Sequence, residues 1–126
     1  MEHKKITSVD MELTHWVSPG SNRPLGGFPA INFFEDDSGF HLVVELAGVA
    51  PEDIQLTVCD SVLVIRGDRP LPAVEEATGE LRTHCLEIDH GPFCREVTIP
   101  DTVDAEAIVA NFSHGLLQIH LPKKKR

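Results

Sequence analysis

From residue 40 onward apolar and polar residues alternate with a period of two: Phe40, Leu42, Val44 and Leu46 share one face of an extended chain, and His41, Val43 and Glu45 the other. Successive side chains of a strand point to opposite faces, so this pattern predicts a strand with one buried side. The stretch 31–34 precedes it across Asp36, Asp37, Ser38 and Gly39, whose short polar side chains and glycine suit a tight reversal. A hairpin follows. Ile54, Leu56 and Val58 continue the period, and beyond Asp60 and Ser61 the β-branched run 62–65 predicts a second hairpin closing at Gly67.

Pro70, Pro72, Glu75 and Glu76 then forbid a regular ladder, so the chain must loop outward before Gly79. Residues 81–88 have the makings of another strand. Phe93, Arg95, Val97 and Ile99 alternate with Cys94, Glu96 and Thr98 until Pro100 ends the run. Two last strands, 108–112 and 116–121, flank Ser113, His114 and Gly115, where the glycine supplies the positive φ that the turn needs. Asp101 could cap a helix over 101–110, but Ile108, Ala110 and Phe112 resume the period of two, which leaves room for one helical turn at most. About eight short strands and no helix of ordinary length predict an all-β, immunoglobulin-like antiparallel β-sandwich over 29–122. Sheet edges carry unpaired backbone groups and must be covered or used to bind another chain, so protein binding is the expected work.

No period holds before residue 29. Isolated apolar residues (Ile6, Val9, Leu13, Trp16, Val17) give way to Pro19, Gly20, Pro24, Gly26, Gly27 and Pro29, which predicts a flexible N-terminal arm over 1–28. Residues 10–17 could form a helix of about two turns exposing Met11, Trp16 and Val17, too short to persist without a partner.

The length of 126 residues suits one domain. A net charge of −9 argues against nucleic acid as a partner, because phosphate-binding surfaces are basic. The basic end at 123–126 reads as a short solvated tail. No apolar run reaches membrane-spanning length and no apolar leader follows the N-terminus, so no membrane association and a soluble, cytoplasmic protein are expected. Cys59, Cys85 and Cys94 are an odd count at spacings matching neither a disulfide framework nor a paired-thiol metal site; free thiols in a reducing compartment are the simplest reading.

Catalysis needs a nucleophile beside a base, paired carboxylates in unlike settings, or a metal cluster. None stands out. Among seven histidines only His84 and Cys85 adjoin, and strand neighbours point apart. His114 and His120 read as turn or solvent-facing residues, and Asp36, Asp37, Glu52 and Asp53 as turn and loop residues. No glycine-rich phosphate loop is present: Gly26 and Gly27 follow no strand. The expectation is a protein that is not an enzyme and uses no cofactor or metal.

Four segments, in order, carry a resemblance: Leu46-Ala47-Gly48-Val49-Ala50-Pro51-Glu52-Asp53-Ile54, Leu63-Val64-Ile65-Arg66-Gly67-Asp68-Arg69, Gly91-Pro92-Phe93-Cys94-Arg95-Glu96-Val97-Thr98-Ile99-Pro100, and Ala110-Asn111-Phe112-Ser113-His114-Gly115-Leu116-Leu117 followed by Leu121-Pro122-Lys123. The last is similar to the A-x-x-x-x-G-V-L signature of the α-crystallin domain of small heat-shock proteins, the Hsp20 family, with leucine for valine. Ala47 stands where the family has proline.

The resemblance implies an ATP-independent chaperone, a holdase that binds partly unfolded proteins and keeps them from aggregating under stress. It also implies a homodimer in which a strand on the long loop (Leu81, Arg82, Thr83, His84, Cys85, Leu86) pairs with the partner's first domain strand (Ile31, Asn32, Phe33, Phe34), with Arg95 structural and near that interface. A groove flanked by Ile54, Leu56, Val58, Ile108, Ala110 and Phe112 would take clients or the family's C-terminal I-x-I/V motif. The chain ends at Arg126 without that motif, so a dimer or small oligomer is expected, with a larger one left open. Client contacts from the arm would come from Met11, Leu13, Trp16, Val17 and Phe28. Two other readings stay open: a p23-like co-chaperone or scaffold that binds a single partner, and a metal- or redox-responsive protein using His84, Cys85, His90 and Cys94.

Overall fold

The computed structural model describes residues 28–125, together with the backbone of His3–Ile6 and Asp10–Met11. Among the described residues nine strands form: β1 (His3–Ile6), β2 (Asp10–Met11), β3 (Ile31–Asp36), β4 (Gly39–Glu45), β5 (Ile54–Cys59), β6 (Val62–Arg69), β7 (Gly91–Thr98), β8 (Val109–Ser113) and β9 (Leu116–Pro122). They make two sheets, ordered β1-β8-β9-β4-β3 and β2-β5-β6-β7. Every pairing is antiparallel except that of β2 with β5. The expected all-β sandwich is what forms.

The core lies between the sheets because the period of two sends one face of each strand inward. Leu42, Val44 and Leu46 meet Leu63, Ile65, Leu117, Ile119 and Leu121, all buried. Phe93, Val97 and Phe112 complete it.

Each tight turn has a local cause. At the β3–β4 reversal Asp36 Oδ1 accepts hydrogen bonds from the Ser38 amide (2.9 Å), the Ser38 hydroxyl (2.7 Å) and the Gly39 amide (3.2 Å). At the β8–β9 turn His114 and Gly115 both have positive φ, 57° and 77°, the backbone a two-residue hairpin requires.

Several expectations are corrected. The second hairpin closes at Gly67, opposite Ile54, as expected, but β6 runs on to Arg69 along β7, and Gly67 lies under the Phe93 ring. The helical turn between β7 and β8 is Ala105–Ala107, and its cap is Asp104, whose carboxylate accepts from the Glu106 amide, rather than Asp101. Residues 81–88 form no strand within the chain: 70–90 is exposed irregular backbone. The arm was expected without regular structure, yet His3–Ile6 lies along β8, and Asp10–Met11, read as the start of a helix, lies along β5. The rest of that stretch is outside the described residues. Lys123 and Lys124, placed by sequence in a solvated tail, are held to the body: the Lys123 amide donates to Ser38 O (3.0 Å), its ammonium lies 3.1 Å from Glu35, and the Lys124 amide donates to Thr102 O (2.7 Å).

Candidate interaction surfaces

Strand β3 ends its sheet, so its outer edge offers backbone donors and acceptors that no strand of the described chain uses. Phe33 and Phe34 on it are 41% and 57% exposed, Asn32 is exposed and Ile31 is half-buried. Phe33 stacks on Phe40 with centroids 5.7 Å apart. Leu81, Arg82, Thr83, His84, Cys85 and Leu86 are likewise exposed, and no ladder joins them to β3 within the chain. The two halves of the expected dimer contact therefore stand apart, each with apolar side chains in water.

Arg95 is half-buried on β7, and its Nη1 donates to the Pro29 carbonyl at 2.8 Å. It ties the segment entering β3 to the opposite sheet.

Residues 70–90 also expose Leu71, Val74 and Ile88. Where this loop leaves β6, a hollow of about 750 Å³ is lined by Ala47, Gly48, Pro70, Leu71, Pro72, Ala73 and Ile88, with Glu45 and Arg69 at its polar side. It suits a single apolar side chain or a short extended segment rather than a polar substrate.

The groove residues are brought together, and all are buried: Ile54, Leu56 and Val58 on and at the start of β5, Ile108 just before β8, and Ala110 and Phe112 within it. They belong to the core cluster. Of the arm contacts, Met11 has its backbone in β2, while its side chain and the whole of Leu13, Trp16 and Val17 lie outside the described residues. Phe28 is a correction. It is 8% exposed, packs edge-on against Phe93 at 5.6 Å and lies beneath the Arg69 guanidinium at 4.7 Å, so it holds the core and is not available as a contact.

Two constellations were missed from sequence. The side chain of Arg69 is 7% exposed, and its donors are well used: Nε to Asp89 O (3.0 Å), and Nη1 to Ala47 O (3.2 Å) and to both carboxylate oxygens of Glu45 (3.3 Å each). Its place at the end of the segment 63–69 that carries part of the resemblance was a signal, but it names no partner. The second is on the outer face of β4 and β9, where the His41 and His120 rings stack at 4.8 Å. His41 Nε2 sits 3.0 Å from Asp36 Oδ2, and His120 Nε2 lies 3.2 Å from the Ser38 hydroxyl. The hydroxyl of Ser38 foremost, then His41, hold the Asp36 carboxyl well below the usual carboxylate range. Directly opposed positions of β4 and β9 could have revealed the stack had the register been known.

Among the described residues no three His, Cys, Asp or Glu side chains gather into a metal site. Cys85 is exposed on the loop whereas Cys94 is buried on β7. No helix of the described residues is long and apolar enough to cross a membrane.

The model of the Hsp20/alpha crystallin family matches residues 32–126. Small heat shock protein C4 of Rickettsia felis is 35% identical over 100 residues, covering 78% of this chain and 58% of its own length. Heat shock protein 16 of Schizosaccharomyces pombe is 37% identical over 111 residues, 86% of this chain and 77% of that one. Among solved structures, a small heat-shock protein from Xylella fastidiosa, described as having a distinct high order structure, superposes with a TM-score of 0.67 at 31% identity over 80% of this chain and 90% of that one.

Proposed function

The chain belongs to the Hsp20/alpha crystallin family, a family of small heat-shock proteins whose role is that of chaperones, and from that premise we propose that it acts as an ATP-independent holdase. It binds partly unfolded proteins by apolar contact and keeps them from aggregating, without nucleotide and without chemistry on the client. The observation that carries this reading is the run of large apolar side chains left in water: Phe33 and Phe34 on an open sheet edge, and Leu71, Val74, Leu81, Leu86 and Ile88 on one loop. Monomeric soluble domains rarely leave so many together without a partner for them.

Part of that surface is for a second copy. The loop of one chain, through Leu81, Arg82, Thr83, His84, Cys85 and Leu86, adds a strand to β3 of another, and the exchange gives a homodimer by main-chain pairing along the edge. Larger assemblies build on that unit. The functional domain spans 29–122, with 1–28 as an arm and 123–126 as a basic tail. The three thiols and the acidic balance suit a cytoplasmic protein that takes neither nucleic acid nor membrane as partner.

The test is light scattering from a heat-labile client. Equimolar full-length protein should suppress the rise without any nucleotide. An unchanged rise across a range of temperatures removes the holdase reading, and isolation of one stoichiometric folded partner in its place favours an adaptor.

A further inference from the structure

His41 on β4 and His120 on β9 face each other on the outer side of their sheet, and the groups around them settle which ring nitrogen carries hydrogen. The Ser38 hydroxyl donates to Asp36 Oδ1 at 2.7 Å, so toward His120 Nε2, 3.2 Å away, its oxygen can only accept. His41 Nε2 lies 3.0 Å from Asp36 Oδ2, and a carboxylate likewise only accepts. Both neutral rings therefore carry their hydrogen on Nε2 and keep a lone pair on Nδ1. The two nitrogens of an imidazole point nearly opposite ways, so each Nδ1 turns away from the β3–β4 reversal. On that side lies a hollow of about 210 Å³, lined by both histidines with Val43, Val109, Asn111 and Gln118. Val43, Gln118 and Asn111 form the next cross-strand row beyond the histidines, and neither Asp36 nor Ser38 lines the hollow. Asn111 has its Oδ1 buried with no hydrogen-bond partner among the described residues. Such an acceptor costs free energy until a donor or a cation meets it. We propose that this face of β4, β9 and β8 binds a divalent ion of the zinc or copper kind, held by His41 Nδ1 and His120 Nδ1 with Asn111 Oδ1 beside them.

The donor set selects the ion. Imidazole nitrogen with an amide oxygen suits zinc or copper, whereas calcium and magnesium take oxygen ligands. Asp36 and Ser38 supply what a metal-bound histidine ordinarily has on its far nitrogen, an acceptor that fixes the tautomer and orients the ring. Zinc sits about 2.0–2.1 Å from a histidine nitrogen. The ring centres stand 4.8 Å apart, so binding tilts the rings out of their stack until both Nδ1 atoms converge. Solvent completes the coordination. The ion then ties β9 to β4 on one side and to β8 on the other.

The experiment uses the full chain, with zinc as the probe. Long-range proton–nitrogen NMR of the chelator-treated protein should show the ring hydrogen on Nε2 of His41 and His120. Added zinc should shift the Nδ1 signals of these two rings together, and the Asn111 side-chain amide with them. Ser38→Ala should weaken the site about tenfold by removing the acceptor behind His120. His120→Gln should weaken it further, while His84→Gln and His90→Gln on the long loop leave it unchanged. Zinc should raise the thermal midpoint of the wild type and not that of His120→Gln. Ser38→Ala keeps the comparison available should His120→Gln fail to fold. Zinc in the millimolar range that moves neither Nδ1 signal overturns the proposal. So do shifts confined to His84 or His90, and so does equal affinity in the wild type, Ser38→Ala and His120→Gln. None of these readouts involves client holding, so they stand apart from the chaperone test.

Discussion

The guanidinium of Arg69 lies 4.7 Å from the centre of the Phe28 ring, a contact between the last residue of β6 and a residue outside every strand. The same group reaches Glu45, Ala47 O and Asp89 O, so it joins the end of β4, the entry to β3 and the return of the long loop. Arg69→Ala should destabilise the fold by roughly 3 kcal/mol, because it removes a nearly buried side chain packed on Phe28 together with its hydrogen bonds to Glu45, Ala47 O and Asp89 O. Glu45→Gln should cost less than about 1 kcal/mol, since that carboxylate is half in water. Urea unfolding of both variants checks the contrast; equal losses would mean that the ion pair, not the buried scaffold, matters.

Gly67 tolerates no side chain. A Cβ there would lie 2.6 Å from the Phe93 ring and 2.7 Å from Asp53 O. Gly67→Ala should lose about 2 kcal/mol by overpacking, whereas Gly48→Ala, with open space but a φ of 82°, should lose about 1. Thermal unfolding of the pair separates steric cost from backbone cost.

Acid should reveal the β3–β4 turn. The Asp36 carboxyl is held below its ordinary value of 3.8, so its stabilising contribution is complete above that value and fades as pH falls through the lower folded value. Asp36→Asn should therefore melt lower than wild type at pH 7 and at pH 5, with the gap narrowing only below about pH 4. A gap that closes already between pH 7 and pH 5 would mean that the Asp36 carboxylate is not what stabilises the turn.

Phe34→Asp should leave the domain's own unfolding within about 0.5 kcal/mol, since the side chain is exposed in the single chain. Its mass by light scattering should fall from the dimer or a multiple of it to the monomer. A mass unchanged from wild type would place the partner contact somewhere other than the β3 edge.

Strands β4 to β9 were legible because each buries one face and so writes its period into the sequence, whereas β3, which buries none, was placed by the reversal at 36–39. The failures share a cause. Residues 81–88 carry a strand-like pattern that the single chain leaves without a neighbouring edge, so period alone overstated local order. Phe28 follows a run of glycines and prolines and looks like part of the arm; its burial is decided by Phe93 and Arg69, which no local window contains. The pieces of the arm on β8 and β5 pair through backbone, which has no side-chain signature at such lengths. Asp104 won the cap from Asp101 because 101 and 102 are spent in the turn after Pro100. The groove residues lie in the core cluster, on the buried face that the period of two predicts.

Arg69 donates to the backbone of Asp89, twenty positions further along the chain, so the departure and return of the long loop are pinned side by side at one guanidinium. What lies between the pins is exposed and joins no ladder with the described strands, like a flag on a fixed mast. It can swing toward a neighbour or change length without asking the core to move, and doubling its length should cost only about 0.6 kcal/mol in closure entropy.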